Sequence, residues 1–268
     1  MIIGIDHLQF SVDVLEESIA YLEEMGYRKV FVEAEFMNGT EKCSFLRERN
    51  RSMAYLKRPR SISIELINRS SKAEGRLPSL FVPVFSGRIR GERIEGDFER
   101  TLVGCCETSE LVRAEPLNAD CVCLDAGEGE GFLNSLILKT HDSEGSKNFW
   151  MRGLGFREEG NKASEGCFSV AFPKTPFSER LKLTFVENND DLETSAYVDD
   201  LGCSLLSFLS TDLEADVGKL CKLDNTKSSG AYSFEIAKRS ILACVVYGPG
   251  GEIVELIQVN KLGATSTP

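Results

Sequence analysis

The sequence predicts an α+β protein assembled from repeated βαβββ units. A strand followed by a helix recurs three times, strand-like runs follow each helix, and glycine stands where the first two helices end. Each of these is a local pattern with a physical reading.

The first unit begins at His7-Leu-Gln-Phe-Ser-Val, where polar and apolar side chains alternate with the period of two that a strand requires. A helix over 13–24 follows, with Leu15, Ile19 and Leu22 on one stripe. Asp13 and Glu16 have capping-box spacing, and Gly26 suits the left-handed residue that ends a helix. Strand-like runs then occupy 29–32, 43–48, 53–56 and 61–68.

Between Gly75 and Gly131 lie strand-like runs at 80–85, 101–106 and 120–124 without a helical pattern, which reads as a degenerate second unit. The third unit starts at Ser135-Leu-Ile-Leu-Lys-Thr and continues into a helix weakened by Gly145 and Gly153. Leu154-Gly155-Phe156 closes it, and strands are expected at 168–172 and 181–187. The fourth unit pairs Leu205-Leu-Ser-Phe-Leu-Ser with a helix striped by Leu213, Val217 and Leu220. Thr211 and Glu214 supply its capping-box spacing, and strands are expected at 234–237, 240–247 and 253–259. The layout is therefore unit 1 at 2–70, unit 2 at 75–130, unit 3 at 133–190 and unit 4 at 200–260, in halves 1–130 and 131–268. Loops are expected at 187–200 and 223–230.

Composition narrows the function classes. The chain has 268 residues, is 42% hydrophobic and 27% charged, and carries a net charge of −11. That charge disfavours nucleic acid or an anionic membrane as the main partner. No apolar run approaches the roughly 20 residues that span a bilayer, and MIIGIDHLQF is too quickly polar for a secretory signal. The expected location is cytoplasmic. Nine cysteines sit mostly in apolar runs and read as buried thiols. The C-x-C of Cys121 and Cys123 has no second pair or histidine partner to complete a zinc site. Gly248, Gly250 and Gly251 with Pro249 precede a strand and read as a hairpin turn. Trp150 beside Phe149 is expected in the core, and His141 in a loop.

The opening His7-Leu-Gln-Phe-Ser-Val with Leu15-Glu-Glu-Ser, and the closing Gly248-Pro-Gly-Gly-Glu-Ile-Val-Glu255-Leu, resemble the vicinal-oxygen-chelate superfamily. That superfamily includes glyoxalase I, extradiol dioxygenases and bleomycin-resistance proteins. The resemblance covers about residues 2–68 and 133–260. It implies curved mixed sheets around a concave cavity, with helices on the outer face.

The resemblance also implies where metal ligands would stand: at the start of a unit's first strand and in its last strand. Carried over by position, unit 1 keeps both, His7 and Glu65. Unit 3 has Ser135 and Thr184, while unit 4 has Leu205 and keeps Glu255. If consecutive units pair, these groups are divided between two sites; if the first pairs with the fourth, His7, Glu65 and Glu255 share one cavity. One imidazole and two carboxylates would suit Mn²⁺, Fe²⁺, Ni²⁺ or Zn²⁺, with Glu65 or Glu255 as general base. Gln9 and Ser11, on the same strand face as His7, are candidate ligand contacts. Arg58 and Arg60, in the basic run 47–60, are candidates for a positive rim that holds an anion.

Three functions follow from these expectations. The first is a binder of a small anionic or oxygen-rich molecule. The second is a metal-dependent lyase, isomerase or dioxygenase, and the third a scaffold whose site has decayed and holds no metal. The expected partner is a small molecule, and the expected assembly a monomer or homodimer.

Overall fold

The computed structural model describes residues 1–37, 50–68, 81–86, 89–94, 109–124, 132–159, 167–187, 202–236 and 239–258. Unit 1 is β1 (Ile2–Val12), α1 (Leu15–Glu24), β2 (Arg28–Met37), β3 (Asn50–Lys57) and β4 (Ser63–Asn68). Unit 2 is β5 (Phe81–Ser86), β6 (Glu92–Arg93), β7 (Ser109–Ala114) and β8 (Ala119–Leu124). Unit 3 opens with β9 (Phe132–Thr140) and α2 (Ser143–Asn148), which runs on into a π-helical turn over Phe149–Gly153. β10 (Arg157–Glu158), β11 (Cys167–Phe172) and β12 (Leu181–Glu187) complete it. Unit 4 is β13 (Gly202–Ser210), α3 (Leu213–Leu220), β14 (Lys227–Ser228), β15 (Tyr232–Ile236), β16 (Arg239–Tyr247) and β17 (Ile253–Gln258). The expected strands at 43–48 and 101–106 lie outside the described residues.

The strands form two mixed sheets. One has the order β14-β16-β17-β13-β1-β4-β3-β2, with β15 also paired to β16; the other runs β10-β11-β12-β9-β5-β8-β7-β6. Within each unit the first and last strands are parallel: β1 with β4, β5 with β8, β9 with β12 and β13 with β17. Units join through antiparallel ladders, β1 with β13 and β5 with β9. Unit 1 is therefore paired with unit 4, and unit 2 with unit 3. Each sheet takes one unit from 1–130 and one from 131–268, so the two halves of the chain do not coincide with the two sheets.

One apolar cluster holds the assembly together. Leu8 and Phe10 of β1, Leu206 and Phe208 of β13, and Phe81 and Phe85 of β5 are all buried in it. Leu15, Ile19 and Leu22 of α1 enter the same cluster, and α1 packs against β2, β3 and β4 of its own unit. Trp150 is fully buried, edge-on to Phe149 and Phe156. Its indole Nε1 donates to Glu252 Oε1 at 3.3 Å, which satisfies a group that burial would otherwise penalise.

Helix boundaries depart from expectation by one residue. Val14, not Asp13, is the first cap of α1 and makes no side-chain capping bond. At α3 the cap is Asp212, whose Oδ1 accepts from Ala215 N at 3.1 Å. Thr211 is instead held by the chain start, with Met1 N donating to its Oγ1 at 3.2 Å. Asp142 caps α2 by accepting from Gly145 N at 2.8 Å. A Cβ on Gly145 would stand 2.2 Å from Asp142 Oδ2, so this glycine makes the cap possible.

Candidate functional site

The concave face of the unit 1–unit 4 sheet lines a cavity of about 490 Å³. β1 supplies Asp6 and His7 to it, β3 Tyr55 and Lys57, β4 Glu65 and Ile67, and β17 Glu255 and Ile257. Val30 and Phe31 of β2 face Phe234 and Ile236 of β15, while Arg239 and Ile241 come from β16. The result is an apolar collar around a polar floor, with two cations along the wall.

Strand alternation cannot place Asp6 and His7 on one face, and the structure achieves it with a bulge. The β1–β13 register passes from Ile5↔Phe208 to His7↔Ser207, leaving Asp6 without an opposite residue. A bulge of this kind re-aims a side chain by one position. Asp6 Oδ2 consequently lies 2.8 Å from His7 Nδ1. An ionised carboxylate only accepts, so Nδ1 carries the proton and Nε2 is turned to the cavity. Tyr55 OH donates to Asp6 O and Oδ1 at 3.3 and 3.4 Å, and the Tyr55 ring stands edge-on to His7.

His7 Nε2 is buried and has no hydrogen-bond partner among the described residues. Glu65 Oε1 lies 3.6 Å from it, beyond hydrogen-bond reach but close enough for strong attraction. Burial alone would lower the His7 pKa; Glu65, Asp6 and Glu255 reverse that and push it up to about 9. For Asp6, burial pulls upward, but the His7 bond and charge, with Lys57, bring its carboxyl below the usual range. Across the cavity, Glu255 accepts from Tyr232 OH and, at 3.4 Å, from Ser207 Oγ. Burial and the neighbouring Glu255 carboxylate hold the Tyr232 hydroxyl protonated by raising its pKa. Among the described residues, no three imidazole, carboxylate or thiol groups already close around one point at ligating distance.

The other expected contacts stand elsewhere. Gln9 and Ser11 are fully buried on β1 and do not reach this cavity. Arg58 follows the last residue of β3, so alternation turns it away from the cavity. Its guanidinium lies over the Phe132 ring at 4.4 Å and is buried there. Arg60 is exposed in the turn that follows, at φ 64°. The positive charge at the cavity comes instead from Lys57 and Arg239. Arg47 and Arg49 lie outside the described residues. In the other sheet, Thr184 is bonded to Ser169 at 3.1 Å, and Val82, Val84, Val122 and Ile137 form an apolar cluster.

Two mixed sheets of paired units, with a polar-floored cavity between the first and the fourth, form a glyoxalase-like fold. Glyoxalase I from Zea mays is similar in structure, with a TM-score of 0.60 at 12% identity over 95% of this chain and 92% of that one. A candidate dioxygenase from Bacillus subtilis has a TM-score of 0.56 at 10% identity, over 96% of this chain and 85% of that one. No protein-family model matches the sequence, and no curated protein does. Among the described residues, no helix is long and apolar enough to cross a membrane.

Asp6, Tyr55 and Tyr232 were missed by sequence reasoning. Asp6 adjoins His7, and only the bulge makes that adjacency functional. Tyr232 lies two residues before the expected strand at 234–237 and carries no motif.

Proposed function

We propose that the cavity between units 1 and 4 binds a small, oxygen-rich molecule through a divalent cation held by His7 and Glu65, with Glu255 as third donor. The observation that supports this reading is the β1–β13 pairing, which brings residues 7, 65 and 255 to one cavity. His7 and Glu65 are spaced as two donors to one ion. Two donors each about 2.1 Å from a tetrahedral metal stand about 3.4 Å apart, and His7 Nε2 and Glu65 Oε1 are separated by 3.6 Å. Asp6 on Nδ1 fixes the tautomer and orientation that a metal-binding imidazole needs. This donor set suits Mn²⁺, Fe²⁺, Ni²⁺ or Zn²⁺.

When bound, such an ion polarises a substrate oxygen as a Lewis acid. The chain's own residues do the rest. Glu65 and Glu255 stand ready to accept a proton from the substrate, and Tyr232 holds Glu255 in place through its hydroxyl. The collar of Phe31, Phe234 and Ile236 limits water around the reacting group. The corresponding reaction class is that of a metal-dependent lyase, isomerase or dioxygenase.

A metal-free binder, in the manner of bleomycin-resistance proteins, is the second reading. It is favoured by the apolar Leu205 at the fourth ligand position and by the hydrogen bonds already made to Glu255. Calorimetric titration of chelator-treated protein with Mn²⁺ and Ni²⁺ separates the two. The metal reading expects one ion per chain, lost in a folded His7→Ala variant. Absence of binding to the wild-type protein leaves only the second reading.

A further inference from the structure

The cavity separates its charges, and that separation names a ligand class. On the floor, three carboxylates (Asp6, Glu65 and Glu255) stand against one imidazole. Lys57 and Arg239 line the same cavity from opposite units, both exposed. Among the described residues neither is within ion-pair distance of a carboxylate, and they are the two cations that line this cavity. Lys57 Nζ lies 5.3 Å from the Tyr55 ring centroid, which directs its charge over the cavity's aromatic wall. Between floor and cations the wall is apolar: Phe31 is stacked on Tyr55, and Phe234 on Tyr232.

An anionic group is repelled by the floor and attracted by Lys57 and Arg239, so it belongs at the outer wall. A hydrocarbon or aryl body belongs between Phe31 and Phe234, where it removes apolar surface from water. A neutral hydroxyl or carbonyl suits the floor.

We propose that the ligand is an amphipathic anion: a carboxylate or other oxyanion held by Lys57 and Arg239, with an aryl or acyl body between Phe31 and Phe234. This deepens the reading given above and rests on it for the role of the floor; Lys57 and Arg239 act as specificity-determining residues.

The test is calorimetric titration of the full chain with 3-phenylpropionate, 4-phenylbutyrate and octanoate, each beside its neutral amide and its amine. The carboxylates are expected to bind more tightly than their amides, and the amines most weakly. Lys57→Gln and Arg239→Gln should each weaken the carboxylates by roughly tenfold while leaving the amides unchanged. Phe234→Ala should weaken acid and amide alike. Failure of the whole panel to bind, a preference for amines, or carboxylate affinities unmoved in both charge variants would overturn the proposal. The titrations are repeated with and without Mn²⁺ and beside His7→Ala. An anion preference that persists while no metal binds contradicts the metal reading alone; metal binding without any anion preference contradicts this inference alone.

Discussion

Replacing His7 by glutamine tests the electrostatics of the floor through its pH dependence. Glu65, Asp6 and Glu255 raise the His7 pKa to about 9 from an ordinary 6.5. At about 1.4 kcal/mol for each tenfold change in proton affinity, this amounts to about 3 kcal/mol. His7 is almost fully buried, so solvent screening takes little from that figure. A pKa raised by folding means the folded state holds the proton more tightly. The stabilisation is thus fully present below pH 6.5 and is lost as pH rises toward and through 9. Urea denaturation of chelator-treated protein between pH 6.5 and 8.5 should lose about 2 kcal/mol of stability. Burial also raises the thiol pKa values of Cys121 and Cys203, which adds a loss of the same sign above about pH 8.5. Subtracting the His7→Gln curve isolates the histidine. Parallel curves for wild type and variant across this window would refute the reasoning.

Asp6→Asn should weaken divalent-cation affinity at least tenfold, because the bond that orients His7 Nδ1 is weakened. The same variant should lower the His7 pKa, measured by NMR titration of the imidazole; an unchanged affinity and pKa would speak against Asp6 as a positioning residue. Gly250→Ala would place a Cβ 2.2 Å from Thr140 Oγ1 and 2.3 Å from Ser146 Oγ, two buried hydroxyls bonded to each other at 2.7 Å. It should cost about 1–3 kcal/mol and lower the melting temperature by several degrees, with an unchanged Tm as the contrary result. Trp150→Ala should cost about 3–5 kcal/mol by denaturation followed with circular dichroism, since this indole packs against Phe81, Phe185 and Phe208 from both sheets. A loss below 1 kcal/mol would mean the two sheets do not share that core.

The repeating unit was legible because its signals are local. Alternation from His7 to Val12, the stripe of Leu15, Ile19 and Leu22, and the left-handed Gly26 and Gly155 are properties of short windows. The pairing of units was not legible, because β1 and β13 meet through backbone hydrogen bonds between segments some 200 residues apart. Such ladders leave no side-chain signature. His7, Glu65 and Glu255 could each be placed on a strand face, yet their convergence depended on that pairing. Asp6 was hidden by the bulge, since strict alternation assigns it to the face opposite His7. The same rule, applied one residue past the end of β3, turns Arg58 inward and leaves Lys57 at the cavity. The basic run 47–60 was thus visible as charge but not as direction.

The central claim is that one imidazole and the carboxylates of opposite chain regions meet on a single ion. The chain has two histidines, His7 and the exposed His141, so an imidazole bound to a paramagnetic ion is readily assigned. Electron spin-echo modulation of protein loaded with one equivalent of Mn²⁺ should show coupling to an imidazole nitrogen. That coupling should vanish in His7→Ala and persist in His141→Ala. Mn²⁺ bound without nitrogen coupling, or with coupling that survives His7→Ala, would contradict the account.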